Sequence, residues 1–358
     1  MEAENKPVAI LGAGLAGLLT AYRLQQFGIP YLLFEGRERL GGRIHTITTE
    51  GGGTIEMGAT WFAPKHQHLL ALINELGLSY ENQYTGNKVL YDYLNPDRKV
   101  QAIDIPIGNE PSLIFTKGTH DIIQALANRI DQKSIHLGEQ VKALSFEKGA
   151  CVVRTNQAAY AVQTIVNTLP PNLFINSIDF TPDLPENLIK LCSTTHTWMG
   201  ESIKAALVFD HSPWRKQHIG SLFSQLGPFT ELHDHMHSDV KINALKGFMH
   251  PGAHEWSIEG RKQNAIDQLK LYFPKHDLTP RSYHEFDWQN EPMTFHQYQS
   301  ELSPHQNNGH PHFRESFFED RLFFAGSETA QFFPGYMDGA VERAESVAQQ
   351  IIKTYSDT

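Results

Sequence analysis

Residues 7–46 read PVAILGAGLAGLLTAYRLQQFGIPYLLFEGRERLGGRIHT. The run Val8–Leu11 is long enough for one buried parallel strand. Gly12, Gly14 and Gly17 follow it in the spacing G-x-G-x-x-G, and a second apolar run, Ile29 to Phe34, ends at the acid Glu35. Gly12 permits a tight turn after the strand. Gly14 lets a diphosphate approach the backbone, and Gly17 lets the next helix pack closely on the sheet. That helix has its buried stripe at Leu15, Leu18, Leu19 and Tyr22. Its N-terminus offers free N–H groups and the positive end of a dipole to an anion. A carboxylate at Glu35 falls where it can accept hydrogen bonds from a ribose. Strand, turn, helix and acid-ended strand agree, and they predict a dinucleotide site to which Ala13, Leu15 and Ala16 of the turn also contribute.

The segment after Glu35 reads E-x-R-x-R-x-G-G-R, through Gly36, Arg37, Arg39, Gly41, Gly42 and Arg43. The extra glycines allow a second close backbone approach, and the arginines supply guanidinium forks for phosphate oxygens. Here the sequence resembles the flavin-containing amine oxidases, the family of monoamine, polyamine and L-amino acid oxidases. The resemblance implies FAD as the cofactor. It also implies an α/β fold, with a Rossmann-type FAD-binding domain and a second, smaller α+β substrate domain.

The closing segment carries the second match. Leu322 to Ala325 leads into Gly326-Ser327-Glu328-Thr329, and then Gly335-Tyr336-Met337-Asp338-Gly339-Ala340 opens a helix with a face at Met337, Ala340, Val341, Ala344, Val347, Ala348 and Ile351. This is similar to the family pattern F-A-G-x-E-T followed by G-Y-M-E-G-A-V-E. It implies that Gly326, Glu328, Gly335, Met337 and Ala340 meet the cofactor, with Glu328 on the ribityl or diphosphate part. The final helix would point its N-terminus at the pyrimidine end of the flavin. Tyr336 would be one wall of an aromatic cage for the substrate.

Between these ends, Gly58, Ala59, Thr60 and Trp61 in GGGTIEMGATWF resemble the small-residue segment that passes the isoalloxazine ring. Val141 falls where relatives hold the adenine with backbone groups. The strand Tyr160–Leu169 ends at Pro170-Pro171, with Asn167 where relatives carry alanine. WMGESIKAALVFDHSPWRK, residues 198–216, is similar to the family segment whose lysine holds water against flavin N5, which implies that role for Lys204. An alternating pattern leaves open which face Lys204 takes. Trp288 precedes Gln297, at the position where covalent members carry a flavin-bonded cysteine, so FAD is expected without a covalent link. Tyr298 falls at the second cage wall.

Other segments read from pattern alone. Lys65–Leu78 predicts an amphipathic helix with His66 and His68 on its solvated face, and Lys117–Ile130 predicts another with Ile122, Ile123, Leu126 and Ile130 inward. A hairpin is expected to turn at Lys148-Gly149. His233, Asp234, His235 and His237 invite a metal reading, but no third ligand is arranged from elsewhere. A solvated loop is expected there, and no metal. The domains divide as residues 1–66, 113–172 and 284–358 for FAD, and 67–112 and 173–283 for substrate.

A chain of 358 residues is long enough for two cores. A net charge of −10 without basic blocks argues against nucleic acid, and no apolar run is long enough to span a bilayer. Two cysteines, Cys151 and Cys192, and the acidic start MEAENK predict a reduced cytoplasmic protein. The expected partners are a small amine-type substrate and O2, and the expected reaction is oxidation of a carbon–nitrogen bond with release of H2O2. Two other readings stay open: a renalase-like oxidase of reduced nicotinamides or another flavin desaturase, and a flavin-bound protein without turnover.

Overall fold

A computed structural model describes residues 6–92, 99–105, 110–147, 150–237, 240–276 and 278–356. The expected α/β class is found. Val8–Leu11 and Tyr31–Phe34 run parallel, joined by the helix Leu15–Gln26. The full parallel sheet is ordered Leu322–Phe324, Thr164–Asn167, Val8–Leu11, Tyr31–Phe34, Ile135–His136. Its strands are mostly apolar because both faces are covered, with Thr164, Asn167 and His136 the exceptions. Val8, Ile10 and Leu33 pack against a helical layer that includes Leu15–Gln26, His120–Ala127 and the closing helix Met337–Ser356. Ala9, Leu11 and Phe34 pack on an antiparallel layer carrying Leu144, Phe146, Cys151 and Val153. The period-two alternation of a strand thus divides one apolar run between two cores.

That antiparallel layer is a four-stranded sheet in the order Ala159–Val162, Ala150–Thr155, Val141–Glu147, Asp179–Thr181. The stretch expected as one strand to Leu169 is therefore two strands in different sheets, Ala159–Val162 and Thr164–Asn167. The hairpin expected there forms, and its turn at Lys148-Gly149 lies outside the described residues. Asn167 is buried and closes the turn after its strand, its Oδ1 accepting the Leu169 N–H at 3.1 Å.

A seven-stranded sheet forms the second unit, in the order Ser282–Asp287, Ile203–Phe209, Val240–Met249, Phe229–His237, Ile219–Ser224, Lys88–Asp92, Gln101–Asp104. One face, with Ile203, Ala205, Leu207, Leu232 and Leu245, packs on the helix Ile258–Tyr272 through Ala265 and Leu269. The other face turns toward the parallel-sheet unit. Several elements sort differently from the expected division, among them the helix Glu186–Ser193, whose Leu188, Leu191 and Cys192 join the core under the parallel sheet. Gln67–Leu76 packs with the closing helix, Asp179–Thr181 joins the four-stranded sheet, and Ser282–Asp287 edges the seven-stranded one.

The His-rich segment is not a solvated loop. Phe229–His237 is a strand inside the seven-stranded sheet, with Asp234, His235 and His237 buried. A polar strand can be buried when each group finds a partner. Asp234 accepts from Trp214 Nε1 at 2.6 Å and from Arg215 Nε at 2.7 Å. His235 meets the Thr54 carbonyl at 3.1 Å, and His237 meets that of Phe115 at 2.7 Å. His66 is likewise buried, against Phe333 and Tyr336, whereas His68 is exposed as expected. Among the described residues, no three His, Cys, Asp or Glu converge as a metal set, and no helix is long and apolar enough to cross a membrane.

Candidate active site

The two units meet at a cavity of about 450 Å3. Its first wall is the glycine turn. Gly12, Gly14, Leu15 and Ala16 line it, so the N-terminus of the opening helix faces the space. Gly12 has φ +97°, and a Cβ there would lie 2.8 Å from Thr168 Oγ1, so only glycine fits. At the end of the second strand Glu35 accepts from Ala13 N at 3.0 Å and from Arg37 N at 3.1 Å, which fixes its carboxylate at the cavity edge. Gly41, Gly42, Arg37 and Arg43 complete this end, and a Cβ on Gly42 would sit 3.2 Å from the Gly14 Cα. Gly36 and Val141 line a smaller cavity beside it, together with Gly12 and Glu35. From the opposite side come Gly335, Tyr336, Met337 and Ala340, the start of the closing helix. Two helix N-termini therefore converge on one space, a field that favours negative charge. The Nε of Arg37 is buried with no hydrogen-bond partner. Glycine cradle, helix ends and orphaned donor fit an anionic dinucleotide.

Four expected cofactor residues stand behind this surface rather than on it. Ala13 holds Glu35, Gly17 packs under the turn, and Gly326 lies against the carbonyls of Thr168 and Leu169. Glu328 is fully buried and grips Arg43 with both oxygens, at 2.5 and 2.8 Å. Burial opposes its charge, yet the Arg43 guanidinium holds the Glu328 carboxyl below the usual carboxylate range. The residue that reaches the cavity is Arg43, and Glu328 aims it.

The second wall is the inward face of the seven-stranded sheet. Cross-strand register sets Phe286, Lys204, Phe248, Glu231 and Phe223 in one row. In the next row lie His284, Ala206, Lys246, His233 and Ser221. Lys204 is 2 % exposed, so the strand that carries it is buried on both faces. Its Nζ donates to the Gly58 carbonyl at 2.5 Å and to Thr60 Oγ1 at 2.9 Å, and sits 4.7 Å from the Trp61 ring centroid. Burial brings its pKa down to about 7, against the opposing pull of Glu56 and Glu231. Gly58, Ala59, Thr60, Trp61, Lys204, Phe248 and Glu231 all line the cavity. The His233 imidazole, with Nε2 3.7 Å from the carboxylate, holds Glu231 below the usual range.

Tyr298 and Tyr336 are not brought together. The Tyr298 hydroxyl accepts the Thr197 N–H at 2.8 Å, with its ring against Phe295 and His196, and it does not line the cavity. The rings beside Tyr336 are Trp198 and His305, each at 5.7 Å, and His66 at 5.9 Å, and of these Trp198 lines the cavity. Sequence reading missed Trp198, Glu231, Phe248 and Lys246. For Lys246 a signal existed: it sits in INALKGFM, an apolar strand of the kind that singled out Lys204.

A family model described as flavin containing amine oxidoreductase matches residues 15–111 and 107–352. A probable flavin-containing monoamine oxidase A of Dictyostelium discoideum is 25% identical, over 96% of this chain and 97% of the relative. An L-amino acid dehydrogenase of Synechocystis is 22% identical over 96% of this chain and 94% of that one. In fold, cyclohexylamine oxidase from Brevibacterium oxydans superposes with a TM-score of 0.86 at 18% identity, covering 98% of this chain and 100% of the other. Putrescine oxidase bound to putrescine superposes at 0.84 and 19% identity, over 98% and 99% of the two chains. With two converging helix ends, an acid-ended second strand and a family match over nearly the whole chain, this protein belongs to the flavin-containing amine oxidoreductases.

Proposed function

We propose that the chain is a FAD-dependent oxidase of small amines, with FAD bound non-covalently and O2 as electron acceptor. Lys204 carries this reading: a lysine buried in an apolar strand, its amine at the junction of the dinucleotide cradle and the inward sheet face. The cradle residues Gly12, Gly14, Leu15, Ala16, Gly41, Gly42 and Arg43 would hold the diphosphate, Glu35 the ribose, and Val141 with Gly36 the adenine end. The two cysteines are buried in the core behind the parallel sheet, away from this cavity, which favours a non-covalent cofactor.

When bound, the flavin supplies the acceptor for the hydride on the carbon beside nitrogen, and its electrons then reduce O2 to H2O2. The chain does the rest. Trp198, Tyr336, Phe248 and Trp61 exclude water and favour the neutral amine. Tyr336 and Trp198 take the flanking position expected of two tyrosines. The amine of Lys204, fixed by Gly58 and Thr60, supplies positive charge where negative charge builds up during reoxidation. The start of the closing helix adds to the same field.

Amines are favoured over amino acids by the charges on the wall. Arg43 is committed to Glu328, and Arg37 to Glu35 and Glu291, while the sheet face presents the Glu231 carboxylate. An α-carboxylate beside Glu231 would meet repulsion, and both arginines that line the cavity already face carboxylates. The test is anaerobic bleaching of the yellow protein by amines, amino acids and reduced nicotinamides, followed by H2O2 measurement in air. Amines should bleach it and yield one H2O2 per turnover; bleaching by nicotinamides alone, or by nothing, overturns the reading.

A further inference from the structure

Lys204 is not the only lysine under this wall. Lys246 lies diagonal to it on the same sheet face, two residues along from its register partner Phe248, and is 1 % exposed. Its Nζ donates to Thr60 Oγ1 at 3.0 Å, the same oxygen that takes Lys204 at 2.9 Å. The two nitrogens are therefore no more than 5.9 Å apart. Both stand over one ring, Trp61, at 4.7 and 4.9 Å. The Thr60 hydroxyl spends its own proton on the Gly58 carbonyl at 3.2 Å, so both lone pairs are open to the two lysines.

We propose that Lys246 is a positioning residue for Lys204: the two amines, bridged by the Thr60 hydroxyl, hold a single proton between them. Neutral oxygens and a ring face cannot compensate two ammonium charges in a dry site. Among the described residues no carboxylate lies within 4.0 Å of either amine. The nearest charged groups act at longer range. Glu56, on the strand Thr54–Glu56, is buried and already accepts from Thr119 N at 2.9 Å and Thr46 Oγ1 at 2.7 Å. Glu231 is shared with His233. His235 and His237, from the neighbouring strand, are held below the ordinary imidazole value, chiefly by burial, with Glu56 opposing at His237. His284, on the far side, is also lowered by burial and meets Ser282. Burial, and then the Lys204 charge, push Lys246 well below its ordinary value, with only Glu56 opposing.

The consequence concerns Lys204. The single proton resides on Lys204, opposite Glu56 and Glu231, and its charge keeps Lys246 neutral. Lys246 thus cedes the proton, and burial leaves Lys204 poised to gain or lose it near neutrality. This rests on the proposed role of Lys204, but its test does not pass through turnover. The full-length flavoprotein, labelled with 13C at lysine Cε, is titrated by NMR, with Lys204 and Lys246 assigned by substitution. In the unsubstituted protein Lys204 should take up the one proton as pH falls through about 7, with Lys246 still neutral there. In Lys204→Met, which removes the competing charge, the Lys246 resonance should titrate higher by about one unit or more. Lys204→Gln, which still donates to Thr60, should do the same, and Lys246→Arg, which fixes a charge beside Thr60, should push Lys204 lower. The pH profile of flavin reoxidation should move downward with Lys204 in Lys246→Arg. Two charged lysines at pH 7 in the unsubstituted protein, or an unmoved Lys246 in both Lys204 variants, overturns the proposal. Either result leaves the oxidase reading intact, whereas loss of that reading would appear in the bleaching assay with the titration unchanged.

Discussion

The two walls of the cavity are built by opposite means. The dinucleotide cradle works largely through missing side chains: Gly12, Gly14, Gly41 and Gly42 let backbone approach a ligand, and two helix ends provide the field. The sheet face works through side chains that local sequence does not group. Lys204, Phe248 and Glu231 come from three strands and meet only because the register places them in one row. Backbone-built sites are specified by spacing within one segment, whereas side-chain-built sites are specified by pairing between segments. Substitutions should therefore fail differently on the two walls.

The largest effect is expected on the sheet face. Lys204→Met removes the one lysine amine that lines the cavity among the described residues and keeps the volume of its strand position. Reoxidation of the reduced flavin by O2 should slow about 10²- to 10³-fold, while flavin affinity changes little. In the unsubstituted protein reoxidation should fall as pH rises through about 7, because the amine loses its charge there. Stopped-flow mixing of reduced protein with oxygenated buffer measures both. An unchanged rate in Lys204→Met would mean that the cradle wall alone handles oxygen.

Gly14 and Gly17, three residues apart in sequence, are required for different reasons. A Cβ on Gly17 would lie 1.9 Å from the Gly12 carbonyl oxygen. Alanine improves helix propensity by about 1 kcal/mol, but a backbone overlap of this kind costs more. Gly17→Ala should lose about 2 kcal/mol or more of stability, read as a lower urea midpoint. A Cβ on Gly14 meets nothing closer than 3.8 Å, so Gly14→Ala should fold normally. Its methyl instead enters the space a diphosphate needs, and flavin affinity should fall at least about tenfold. Equal loss of stability in both variants would erase the distinction between packing and ligand approach.

This contrast also explains what was legible in the sequence. The turn, the second strand and Glu35 could be read because their constraint is local. The closing helix could be read because Gly335 to Ala340 and the apolar stripe form one continuous pattern. His233 to His237 reads as a loop because its polarity resembles solvent-exposed chain, and its compensating partners Trp214, Thr54 and Phe115 lie far away in sequence. Tyr298 follows Trp288 in a stretch with no local pattern to fix its direction, and its hydroxyl accepts the Thr197 N–H. Trp198 reaches the cavity through contacts of its backbone with Arg43 and Glu328, which no spacing rule reports.

The smallest expected effect tests whether the sheet face reads substrate as well as oxygen. Glu231 stands one strand beyond Phe248, so two interstrand spacings, about 10 Å, separate its backbone from that of Lys204. That span suits an amine whose far end carries a second positive charge. The carboxylate is partly solvated and shared with His233, so its contribution is modest. Glu231→Gln should raise KM for such a doubly charged amine about three- to tenfold, leave kcat nearly unchanged, and spare amines with an apolar tail. The same substitution removes one of the two carboxylates that favour the Lys204 ammonium, so the reoxidation inflection should move to lower pH. If the inflection moves while KM does not, Glu231 serves only as a distant counter-charge for the lysines, and specificity lies with the aromatic walls around Trp198 and Tyr336.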